Sequence, residues 1–192
     1  MLGATVPAKG GYYMAFKKAD EWRGYGSSTK QEGIERIILA LNKVLEKYNE
    51  KAKILLETMA GQGTMIGSTF EELSLFLNKI KKPQSIGVCF DVGHLFMAGY
   101  DMRDNKGYKA VLAKFDKMIG LEKIKAIHLN DSKTDFGSHV DRHISIGKGK
   151  MGLEIFQTII KDKRFKNTPK LLELEEEETK KSLKLLQSLL LL

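Results

Sequence analysis

Ser85-Ile-Gly-Val-Cys-Phe-Asp91-Val-Gly-His94 is the most telling stretch for the architecture. A short, almost wholly apolar run ends on a carboxylate, and an imidazole follows one turn later. Runs of this kind read as strands of a parallel sheet buried on both faces. The same arrangement recurs upstream as Lys53-Ile-Leu-Leu-Glu57 and downstream as Ile124-Lys-Ala-Ile-His128 and Lys170-Leu-Leu-Glu173. Each run predicts a strand whose last residue is a type that holds metal ions.

Helical stripes fill the intervals. Ile34, Ile37, Ile38, Leu41, Val44, Leu45 and Tyr48 recur at three- and four-residue steps and predict a helix from about Lys30 to Tyr48, with Thr29 and Glu32 as a capping box. Thr69 and Glu72 repeat that start ahead of Leu73, Phe76, Leu77 and Ile80. Two further stripes are Tyr108, Val111, Leu112, Phe115, Met118, Ile119 and Leu153, Phe156, Ile159, Ile160. The acidic run Glu175 to Glu178 reads as the start of a C-terminal helix over 175–192. Strand and helix alternate four times, so right-handed parallel crossovers are expected, with the ligand types at the loop-bearing edge where α/β folds gather their chemistry.

The 192 residues suffice for one domain but fall short of the roughly 250 of a typical eight-fold β/α barrel. The expected fold class is therefore α/β, a TIM-type barrel that is incomplete, with 1–27 as an atypical N-terminus and 28–174 as the βα units. Lysine and arginine exceed the acids 32 to 24, a net +8 that favours phosphate-rich partners. The one cysteine, Cys89, lies in an apolar run and reads as buried packing, which excludes a disulfide framework within the chain. No signal-like segment opens the sequence, and the leucine-rich end is too short and too interrupted to span a bilayer. A soluble protein of a reducing compartment, cytoplasmic or nuclear, is expected.

Glu57, Asp91, Asp141 and Glu173 would repel one another in a single cleft, and divalent cations remove that repulsion. With His94, His128 and His143 they form a mixed nitrogen and oxygen set, which favours zinc, manganese or iron over calcium or magnesium. Zinc is the first choice. In Asp141-Arg-His143 two ligand types stand two apart, so an extended segment points both the same way, and His94 is placed to join them. Lys133, Lys148 and Lys150 lie in loops on the same side, Arg142 sits between two ligands, and His139 is an ordinary loop residue.

Leu56-Glu57-Thr58-Met59-Ala60-Gly61-Gln62-Gly63, Asp91-Val92-Gly93-His94, His128-Leu129-Asn130-Asp131 and Val140-Asp141-Arg142-His143 resemble the signature motifs of endonuclease IV, in order and spacing, from about residue 28 to 174. That family comprises zinc-dependent apurinic/apyrimidinic endonucleases on a TIM barrel. The resemblance implies that Glu57 bridges the first two zincs, that Asp91, His128 and Glu173 complete the second, and that His94, Asp141 and His143 hold the third. It further implies that Glu57 and Glu173 are catalytic, that hydroxide activated by metal attacks phosphorus in line, and that double-stranded DNA is nicked 5′ to an abasic sugar. Arg142 and Lys133 are the expected contacts to the DNA backbone.

The family's first zinc also needs two histidines from earlier strands, and no histidine precedes His94. Around Trp22-Arg-Gly-Tyr-Gly-Ser27 the chain aligns with a loop that normally carries one of them, with Trp22 or Arg23 in its place. Two zincs at most, and an open barrel edge covered by self-association or by a partner chain, are therefore expected. Two other readings compete. Sugar isomerases and epimerases of the xylose-isomerase-like barrels use the quartet Glu57, Asp91, His128, Glu173, and a truncated remnant would bind metal or DNA without cutting.

Overall fold

The computed structural model describes residues 3–5, 12–15, 26–47 and 52–191. Its principal sheet contains β1 (Gly3–Thr5), β2 (Tyr12–Ala15), β3 (Ala52–Glu57), β4 (Ile86–Asp91), β5 (Ile124–His128) and, last in spatial order, β8 (Lys170–Leu171). From β2 to β8 every pairing is parallel, while β1 runs antiparallel to β2. A two-stranded ribbon of β6 (Asp131–Ser132) and β7 (His143–Ile144) rises beyond β5. Helices α1 (Lys30–Lys47), α2 (Phe70–Lys79), α3 (Val92–Met97), α4 (Asn105–Met118), α5 (Glu154–Lys161) and α6 (Glu176–Leu191) lie between and after the strands. Among the described residues β1 and β8 stand at opposite ends of the sheet order, so the sheet is an open portion of a barrel, as the sequence predicts.

Local chemistry sets the helix starts. Thr29 N–H donates to Glu32 Oε2 at 2.8 Å and Glu32 N–H to Thr29 Oγ1 at 3.3 Å, a reciprocal capping box. At α2 only half of that pattern forms. Glu72 N–H reaches Thr69 Oγ1 at 3.2 Å, but the Glu72 carboxylate accepts instead from Gly67 and Ser68 N–H at 2.7 and 3.1 Å and pairs with Lys30. Glu72 thus ties the loop after β3 to the first turn of α1.

Alternation along the strands sorts side chains onto two faces. Ile54, Ile86, Val88, Phe90 and Ile127 face the helices, and a register shift at the start of β5 brings Ile124 to the same core; there Phe70 stacks on Tyr100 at 4.3 Å and Phe115 meets Phe70 and Phe90 edge-on at 5.2 and 5.5 Å. Burying each such ring contributes about 1.5–3 kcal/mol. The opposite face carries a small separate cluster of Leu55, Cys89, Ala126 and Leu171. Two residues further along each chain stand Glu57, Asp91, His128 and Glu173.

Three expectations change. Leu153 does not belong to the apolar stripe of α5, because the helix begins at Glu154 and leaves Leu153 exposed at its cap. Lys170 to Glu173 is not one strand, since only Lys170 and Leu171 pair with β5 and Glu173 lies beyond the ladder. Upstream, in the stretch read only as an atypical N-terminus, β2 pairs with β3 in parallel register from Tyr12↔Ala52 to Met14↔Ile54. Trp22 and Arg23 fall outside the described residues. Among those described, no helix is long and apolar enough to cross a membrane.

Candidate metal centre

The ends of β3, β4 and β5 lie side by side, and their last residues converge. His128 Nδ1 stands 2.9 Å from Glu57 Oε1, 3.3 Å from Asp91 Oδ2 and 3.4 Å from Glu173 Oε2. One ring nitrogen therefore faces three carboxylates from three other segments. Asp91 is fully buried and Glu173 is 39% exposed, so the set has a dry floor and an open rim.

A second set lies beside it. Asp91 Oδ1 caps α3 by accepting His94 N–H at 2.7 Å, which presents the His94 ring on the first turn. His94 Nδ1 lies 2.9 Å from the Thr58 carbonyl and donates to it, leaving Nε2 free. That Nε2 lies 3.3 Å from Asp141 Oδ1 and 3.1 Å from His143 Nε2, and His143 Nε2 lies 3.1 Å from Asp141 Oδ1. Three ligand atoms thus mark a triangle with edges of 3.1–3.3 Å. At zinc–nitrogen and zinc–oxygen bond lengths, tetrahedral ligands stand about 3.3 Å apart, so the triangle has the size of one face of such a shell. Two imidazole nitrogens at 3.1 Å need a proton or a cation between them. The donor chemistry fits a divalent metal, with one exception: His143 Nδ1 is buried with no hydrogen-bond partner, where a ligating histidine ordinarily donates from its second nitrogen.

Charges in the cluster are strongly interdependent. Burial opposes protonation of His94, but Asp91, Asp141 and Glu57 outweigh it and push the ring up to about 10. His128 is likewise pulled down by burial and raised further still by Asp91, Glu173 and Glu57. His143 rises for the same reason, through Asp141. The His143 and His94 rings hold Asp141 well below the usual carboxylate range, and His128 lowers Glu173. Burial alone would raise Asp91, and the neighbouring imidazoles reverse that. The carboxylates thus favour positive charge on the imidazoles in the metal-free fold, a charge that a dication would supply in their place. Cys89, one layer below and close to Glu57 and His128, is pushed up to about 12 by burial and stays a neutral thiol.

Several supporting groups lie within the quoted motifs, but residue spacing gives no sign of what they bond. Thr58 Oγ1 accepts Asp91 N–H at 2.9 Å, which locks the end of β4 to the loop after β3. Gln62 Oε1 accepts Asp141 N–H at 2.8 Å across 79 residues. Asn130 spans Asp91 and Glu173. Asp131 is also buried, and its carboxylate accepts from the N–H groups of Ser132, Gly147, Gly149 and Met151. The Gly147-Lys-Gly-Lys loop is thereby wrapped around a side chain of its own chain.

Of the remaining predicted residues, Arg142 is exposed and its guanidinium donates to the Asp141 carbonyl at 2.6 Å. Lys133 is exposed beside it, its N–H bonded to the Arg142 carbonyl at 2.9 Å. Lys148 and Lys150 are exposed on the glycine loop, Lys150 lying 3.5 Å from Asp135. His139 has a left-handed φ of 54°, the one non-glycine in that region among the described residues, and its Nδ1 lies 3.0 Å from the Ala60 carbonyl. It joins the loop before β7 to the loop after β3 without entering the cluster.

Residues 2–189 match the sequence pattern of the xylose isomerase-like TIM barrel family. The chain is 47% identical over 148 residues to a probable endonuclease 4 of Trichlorobacter lovleyi, covering 77% of this chain and 53% of that protein. It is 44% identical over 151 residues to an apurinic-apyrimidinic endonuclease of Caenorhabditis elegans, covering 79% and 38%. The crystal structure of endonuclease IV from Thermus thermophilus is similar with a TM-score of 0.71 at 30% identity, over 86% of this chain and 59% of that one. This chain spans about half the length of the bacterial relative and less of the nematode one.

Proposed function

This chain belongs to the xylose isomerase-like TIM barrel family, with endonuclease IV proteins as its relatives, and on that basis we propose that it is a repair endonuclease that hydrolyses the phosphodiester 5′ to an abasic site in double-stranded DNA. The observation that carries this reading is the pair of adjoining ligand sets, one at the strand ends and one at the β6–β7 ribbon, with Asp91 anchoring both.

Glu57, Asp91, His128 and Glu173 would hold one ion, and His94, Asp141 and His143 another. The short ligand separations and the nitrogen content favour zinc, with manganese as the alternative. Bound divalent ions supply Lewis acidity toward a phosphoryl oxygen and lower the pKa of water. Glu57 and Glu173 flank the open rim and orient the reacting groups there. Arg142 and Lys133, both exposed beside the ribbon, take the DNA phosphates without reading sequence. A DNA substrate implies a location with the nucleoid or in the nucleus, and a second copy or partner chain covers the open sheet edge.

The strand-end quartet alone would also suit a sugar isomerase or epimerase. Against that reading stands the second set, for which a sugar site has no need. Incubating a duplex that contains one abasic analogue with the protein, with and without zinc, separates the alternatives. A zinc-dependent nick 5′ to the lesion is expected. Retarded migration without nicking would identify a binding remnant, and neither outcome on zinc-loaded protein would overturn the DNA assignment.

A further inference from the structure

Asn130 stands two residues beyond His128, and it is completely buried. Its Nδ2 donates to Asp91 Oδ2 at 2.8 Å and reaches Glu173 Oε2 at 3.5 Å, while its Oδ1 accepts the Glu173 backbone N–H at 2.9 Å. The amide has only one reasonable orientation, since the opposite one would turn its oxygen toward two carboxylates and its NH2 toward a backbone donor.

The ladder cannot place Glu173 by itself. β8 pairs with β5 only through Lys170 and Leu171, and the last backbone bond between them runs from Leu129 N–H to the Leu171 carbonyl at 2.8 Å. Beyond it, the Glu173 main chain is fixed by Asn130 Oδ1. Asp91 is held just as fully: Oδ1 by the His94 N–H and Oδ2 by Asn130. Two anions from segments on either side of β5 are thus bridged by one neutral amide, which supplies a donor to each.

The structure assigns Asn130 as the positioning residue that ties Asp91 to Glu173 and sets the spacing of the strand-end ligands before any cation binds. The inference rests on the metal reading above but not on the nuclease reading, and it names a residue that touches no substrate. Loss of an outer hydrogen-bond partner of a metal ligand typically weakens metal binding about 10–100-fold.

The test titrates zinc against a competing chelator and measures the melting temperature of the whole chain with and without zinc. In N130A, the affinity of the strand-end set should fall about 10–100-fold, while that of the His94, Asp141, His143 set stays within twofold. N130D keeps the acceptor for the Glu173 N–H and adds a buried carboxylate against Asp91 and Glu173, so the metal-free form should melt lower and the gap opened by zinc should widen relative to wild type. A merely structural amide would lower both melting temperatures together and leave the zinc-dependent gap unchanged. That result, or strand-end affinity in N130A within twofold of wild type, overturns the assignment. If N130A does not fold, the N130D gap decides. An abasic duplex left uncut by the wild-type chain would remove the nuclease reading and leave these outcomes standing.

Discussion

Glu57, Asp91 and His128 each end a strand paired with its neighbour up to or next to that residue, whereas His143 opens a two-residue strand of the ribbon and Asp141 lies in the loop just before it. The first three inherit their positions from the backbone ladder of the main sheet. The ribbon pair depends on side-chain props: Gln62 on the Asp141 N–H, and the His139 ring against the Ala60 carbonyl. Asp91 is fully enclosed, whereas Asp141 is 30% exposed. A ligand set built on strand ends is rigid before a cation arrives. One built on a ribbon gains more of its order from the cation.

That contrast is broken most severely by D91A, because Asp91 serves both sets: it faces His128, and it caps the helix that presents His94. Removing one partner from a buried charged cluster costs about 3–5 kcal/mol. Urea denaturation of the metal-free protein should show a loss of that size, with both bound ions lost on metal analysis.

Next in size, H128A and H143A should separate the sets. H128A is expected to remove the strand-end ion, and H143A the ribbon ion, each weakened by at least the roughly 10–100-fold that follows loss of an outer partner. Loss of both ions from either variant would show that the sets are one centre.

The pH dependence tests the proton balance. His94 is raised from 6.5 to about 10 in the metal-free fold, so its contribution is fully present below about pH 6.5 and is lost as pH rises toward 10. Asp141 is lowered, so its contribution is present above pH 3.8 and is lost only in stronger acid. Chelator-treated protein should therefore melt progressively lower between about pH 7 and 10, while zinc-loaded protein stays flatter. Zinc affinity itself should weaken as pH falls, because each ion displaces protons. A metal-free melting temperature that stays level across that range would refute the balance.

The smallest effect is expected from Q62A. It leaves the Asp141 N–H without its acceptor, and zinc affinity should drop about tenfold at the ribbon set alone. An equal drop at the strand-end set would erase the distinction between ladder-held and prop-held ligands.

Much of this was legible in the sequence because it was local. The ends of β3, β4 and β5 at Glu57, Asp91 and His128 were predicted from short apolar runs, and the Thr29–Glu32 capping box formed as read. Where long-range partners compete, local reading failed. Glu72 has the capping-box spacing from Thr69, yet its carboxylate turns to Gly67, Ser68 and Lys30. Glu173 follows an apolar run like the others, but pairing stops at Leu171 because β8 has only two partners on β5. Residues 3–5 and 12–15 lack any long apolar alternation; residues 12–15 pair with the edge of β3, and residues 3–5 pair with them in turn.

Residue order alone dictates which ligand types end which strands: with a side-chain period of two, Leu55, Cys89, Ala126 and Leu171 below set the face on which Glu57, Asp91, His128 and Glu173 emerge. That these groups meet at 2.9–3.4 Å around one imidazole, and that Asn130, Thr58 and Gln62 hold them there, follows from the three-dimensional packing and from nothing in the local pattern. The reason is that a hydrogen bond spanning from 33 to 79 residues leaves no trace in local spacing. It exists only once parallel register has brought the strand ends side by side.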